Sequence, residues 1–70
     1  MMNLGVMYAN GEGVLQDHVS AHMWFNIAAS MGEKSAAKYR DQIAKSMPPA
    51  QIAKAQRLAR ECVRKKYKGC

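Results

Sequence analysis

Residues 4–32 read LGVMYANGEGVLQDHVSAHMWFNIAASMG, and their spacing decides what this chain folds into. Leu4, Met7 and Tyr8 stand at i, i+3 and i+4, which brings side chains to one side of a helix and predicts one over residues 2–9. The stretch from Asn10 to Gly13 breaks that helix, because glycine reaches positive φ at little cost. Asp17 follows where an N-cap belongs, its carboxylate able to accept the free N–H groups of the next turn. A second helix is predicted over residues 18–31, with Ala21, Trp24, Phe25 and Ala28 as its apolar stripe. Gly32 suits the residue just past its end, where the backbone turns left-handed.

The glycines of NGEGV admit another reading, a cradle for a phosphate. That chemistry needs a helix N-terminus directly behind the loop, with converging N–H groups. Here Val14, Leu15 and Gln16 intervene, and no Lys-Ser or Lys-Thr pair follows as in a P-loop. The glycines are therefore expected to make a turn between helices.

Downstream, residues 34–46 predict a third helix with a weaker apolar face of Ala36, Ala37, Tyr39, Ile43 and Ala44. Pro48-Pro49 ends it, and Pro49 fits the first turn of a fourth helix over residues 49–66. In that helix Ile52, Ala55, Leu58, Ala59, Cys62 and Val63 cluster on one side. Lys54, Arg57, Arg60, Arg64, Lys65 and Lys68 lie on the other, with Glu61 the one acid among them, and the closing KKYKGC is expected to fray. No strand pattern emerges. The fold class expected is all-α, one domain of short helix hairpins, since each helix is too short to stand alone.

A chain of 70 residues holds one small domain with a small core. No apolar run reaches the length of a membrane span, and the N-terminus has no signal-peptide pattern. Cys62 and Cys70 are too few for a disulfide framework, so reduced thiols and a cytoplasmic setting are expected, with the periplasm open if an upstream leader was removed. Cys62 sits on the apolar stripe and is expected in the core. Cys70 is expected to be exposed and able to join two chains when oxidised. Charge is split: residues 1–33 carry Glu12, Asp17 and Glu33 with no Lys or Arg, while residues 34–70 carry all 11 basic residues against Asp41 and Glu61. Such asymmetry points the basic half at an anionic partner.

Candidate chemistry is sparse. His18 and His22 share a helix face at i, i+4, but a stable zinc site needs three or four ligands, so both are expected to pack or to face solvent. No Ser-His-Asp, Cys-His or paired-carboxylate arrangement stands out, so no enzyme, no cofactor and no small-molecule substrate are expected. Of the 6 methionines, Met23 and Met31 read as core filler, with an adaptable binding surface as the other reading.

Leu4-Gly5, Tyr8, Gly11, Gly13-Val14, Asp17, Ala21, Trp24, Ala28-Ala29, Gly32 and Ala36 together resemble the SEL-one-like repeat, a helical repeat related to the tetratricopeptide repeat. The resemblance covers residues 4–36 and makes residues 1–33 a near-complete repeat. In residues 34–70 the pattern is worn: Arg40 and Asp41 stand where a second Leu-Gly pair would fall, and MPPAQIAKAQRLAREC resembles the closing helix of such arrays. The resemblance implies a short right-handed α-solenoid of the tetratricopeptide type and a non-catalytic protein-interaction module, in a family with many bacterial members. It also implies a concave surface lined by the first helix of each pair, toward which Asn3, Met7 and Asn10 point. About three repeats usually make a sufficient core, so a homodimer is expected. The alternative function is electrostatic binding to an anionic polymer (nucleic acid included) or a membrane surface, through Lys54, Arg57, Arg60, Arg64 and Lys65.

Overall fold

A computed structural model describes residues 2–13 and 15–70; Val14 of the repeat pattern lies outside the described residues. Four helices follow in order: α1 (Met2–Asn10), α2 (His18–Ser30), α3 (Lys34–Ala44) and α4 (Pro49–Arg64). No strand occurs among the described residues. The helices start where expected and differ from the expected ends by one or two residues. α3 stops early because the amides of Lys45, Ser46 and Met47 bond three residues back, at 3.3, 3.0 and 3.1 Å, a tightening turn that runs into Pro48.

The ends of α1 and α2 are built locally. Gly11 and Gly13 take φ of 72° and 73°. Between them the chain turns so that Glu12 N–H donates to the Met7 carbonyl at 3.0 Å and Asp17 N–H to the Tyr8 carbonyl at 2.9 Å. The Gln16 side-chain amide donates to the Ala9 carbonyl at 2.9 Å. The loop thus takes up carbonyls that a helix C-terminus leaves free. Asp17 caps α2 through Oδ1, which accepts from Val19 N–H at 3.0 Å and Ser20 N–H at 3.2 Å, while Oδ2 accepts from the Ser20 hydroxyl at 2.8 Å. Partial burial pushes the Asp17 carboxyl up, but the Ser20 and Val19 donors and the nearby Lys54 charge outweigh it and hold it below its ordinary value. Gly32, at φ 97°, lets Glu33 N–H reach back to the Ala28 carbonyl and close α2.

α2 is the hub. α1, α3 and α4 each pack against it far more than against one another. Gly5 is where α1 comes closest: a Cβ there would lie 2.7 Å from the Phe25 ring, so only glycine permits the approach. Trp24, 8% exposed, joins Met23, Ile27, Ala59 and Cys62 in one cluster, with Tyr8 and Leu58 against its border. On the α3 side Phe25 stacks on Tyr39 at 5.7 Å between centroids, and Ala36 is fully buried. Arg40 ties α3 to α2 by donating to the Asn26 side chain at 3.2 Å, and within α3 it donates to Asp41 at 3.2 Å. Met23 is core, as expected, whereas Met31 is exposed.

Two expectations are corrected. Val63, placed by periodicity on the apolar side of α4, is 45% exposed. α4 meets α2 along the narrow line of Ala55, Ala59 and Cys62, and Val63 falls outside that line. The cysteines are not reduced thiols, and Cys70 is not held for another chain: Cys62 and Cys70 form a disulfide within the chain, with 5.7 Å between their Cα atoms. Nor is the closing KKYKGC, expected to fray, loose at the end of α4. Lys66 and Tyr67 take left-handed φ of 55° and 66°, Tyr67 N–H donates to the Cys62 carbonyl at 2.8 Å, and the chain doubles back. No helix among the described residues is long and apolar enough to cross a membrane.

Candidate interaction surface

A groove of about 350 Å³ lies between α1, α2 and α3. Phe25, Val6 and Ile43 supply apolar surface, and Asn10, His18 and Gln42 supply polar groups from three different helices. The turn at Gly11–Gly13 sets this geometry, because it folds α1 back beside α2, and Gly5 lets the two approach until Phe25 reaches the groove. Of the three residues singled out on α1, Asn10 lines the groove. Asn3 is exposed elsewhere on the helix, and Met7 is half-buried with its Cε directed toward Gly13. Val6 and Ala9 line the groove in their place. That could be read from the sequence only after Gly5 had fixed which side of α1 meets α2.

The two histidines sit in different environments. His18 is half-buried and borders the groove. His22 is 2% exposed, and its Nδ1 has no hydrogen-bond partner. Burial, with the Arg40 charge adding to it, holds the His22 imidazole below its ordinary pKa despite the opposing pull of Asp41. The neutral ring therefore belongs to the folded state, while the unfolded chain takes up the proton first as pH falls. Stability from this group is present above the ordinary imidazole pKa and is lost as pH drops below it toward the folded value. Urea melts at about pH 7.5 and about pH 5 should show that loss, and His22→Leu should reduce it while leaving stability at neutral pH equal or higher. Equal pH slopes for both proteins would show that His22 is not the group responsible. Among the described residues no three of His, Cys, Asp and Glu gather where they could hold a metal ion.

A second groove, of about 300 Å³, runs between α2 and α4 over Ile27, Ala59 and Val63, with Asn26, Ser30 and Arg60 along it. Beside it lies the basic side of α4, where Lys54, Arg57, Arg60, Arg64 and Lys65 are all exposed.

A capped hairpin of two short helices joined by a glycine turn, with two further helices laid against its second member, is what the described residues build. The family model described as Sel1 repeat matches residues 1–33 and supports a SEL-one-like repeat in that part of the chain. Sel1 repeats generally mediate protein–protein interaction and are typically non-catalytic. No curated protein and no solved structure matches the chain.

Proposed function

We propose that this chain is a protein-interaction module that receives its partner in the groove between α1 and α3. The observation that carries the reading is the make-up of that groove, an apolar floor at Phe25 and Ile43 edged by the side-chain amides of Asn10 and Gln42. Apolar surface gives a partner segment something to bury, and amides on both sides can bond its backbone in either sense. In this reading residues 34–70 act as a worn second unit and closing helix, and the four helices form a short right-handed solenoid. Exposed Leu4 and Leu15 support self-association as a homodimer. The Cys62–Cys70 bond supports an oxidising compartment such as the periplasm rather than the cytoplasm, because disulfides persist where thiols are not kept reduced.

The test uses the full chain, immobilised, with proteins captured from its native source compared against the variant Asn10→Glu, Gln42→Glu. Both substitutions are at exposed positions, so the fold should survive, as a far-UV circular dichroism melt would verify. The expected result is capture by the native chain and roughly tenfold weaker capture by the variant, the effect of losing about one hot-spot interaction. Identical capture by both would move the binding surface away from this groove.

A further inference from the structure

The outer side of α4 is strongly cationic, with Glu61 the one acid among its basic residues and Asp17 near Lys54. At about 100° per residue, Arg57, Arg60 and Arg64 occupy the side opposite the buried line of Ala55, Ala59 and Cys62, and Lys54 and Lys65 flank it. Lys66 and Lys68 extend the array past the helix end, and all seven are exposed. Among the described residues no ion pair joins any of them to a carboxylate; the ion pair present, Arg40 with Asp41, is on α3. Like charges strung along one helix, most within a Debye length of a neighbour, repel one another unless a polyanion meets them.

The form of the array narrows the polyanion. α4 has its other side committed to α2, so it offers one charged face. Within α4 that face carries no aromatic side chain on which a base could stack; the nearest, Tyr67, stands in the tail between Lys66 and Lys68. A one-sided array instead matches a plane of anionic headgroups, and clusters of Lys and Arg on an amphipathic helix suit such a plane. Val63 and Tyr67, both exposed, border the array and are side chains that a membrane interface accommodates. The Cys62–Cys70 bond closes the tail into a loop, which keeps Lys65, Lys66 and Lys68 at the end of α4 beside Arg64.

We propose that α4 and its disulfide-closed tail form a docking surface for an anionic phospholipid membrane, separate from the groove between α1 and α3. The chain would then rest on the bilayer through α4 and leave the groove free.

Co-sedimentation of the full oxidised chain with phosphatidylglycerol–phosphatidylcholine vesicles, and with vesicles of phosphatidylcholine alone, tests this. The expected result is partition at least about tenfold stronger onto the anionic vesicles at about 0.05 M salt, lost by about 0.5 M. The variant R57E/R60E/R64E, checked for retained helix, should lose the partition. Salt dependence of the native chain serves as a test that needs no variant. Equal partition onto both vesicle types, insensitivity to salt, or unchanged binding by a folded variant would overturn the proposal. So would tighter binding to duplex DNA or to poly-glutamate than to the anionic vesicles, which would assign the face to another polyanion.

Discussion

Trp24→Ala is expected to destabilise the chain by about 3–5 kcal/mol, the cost of emptying a buried aromatic site that cannot collapse. The whole stability of a domain this size is of order 4–10 kcal/mol, so the variant should be largely unfolded or close to it. Trp24 is on the hub helix, and its cluster spans three helices: Met23 and Ile27 from α2, Ala59 and Cys62 from α4, with Tyr8 of α1 at the border. Removing the indole therefore loosens α1 and α4 together. The chain has 1 tryptophan, so fluorescence is lost with it, and far-UV circular dichroism through a urea titration is the measurement to use. Trp24→Phe retains most of the apolar volume and should stay folded. A cost under about 1 kcal/mol for Trp24→Ala would mean that the cluster does not hold the helices together.

Opening the Cys62–Cys70 bond should cost about 2–3 kcal/mol, the chain entropy returned to the unfolded state when a loop this short is released. The two cysteines are separated by 8 positions. For a domain of this length that is a fall in melting temperature of roughly 10–20 °C. Thermal melts with and without reductant measure it. Cys70→Ser should melt at the lower temperature in both conditions, which separates loss of the bond from other effects of the reductant. An unchanged melting temperature for the native chain on full reduction would show that the tail adds nothing to the fold. Cys62 also belongs to the Trp24 cluster, so the two perturbations should not be additive.

The parts of this fold that were legible in advance are those set by neighbours in the chain. The cap at Asp17 needs only its own carboxylate and the next two or three amides. The left-handed turns at Gly11, Gly13 and Gly32 need only the absence of a Cβ. Pro48-Pro49 separates α3 from α4 because proline cannot continue a helix. The site was less legible. Of Asn3, Met7 and Asn10, Asn10 lines the groove proposed for a partner and the other two do not, because helical spacing leaves the rotation of α1 open until Gly5 meets Phe25. His22 showed the same limit: its i, i+4 relation to His18 is a helical fact, but its burial is set by the packing of the helices.

By itself, then, the sequence determined four helices, where each starts and the repeat pattern of the first half, because caps, turns and periodicity act over a few residues. The tertiary structure decided which line of α4 is buried, which leaves Val63 outside, and which residues of α1 and α3 meet across the groove. It also decided that Cys70 returns to Cys62. Each of those depends on how helices approach one another, and that is fixed by close contacts between residues distant in the chain.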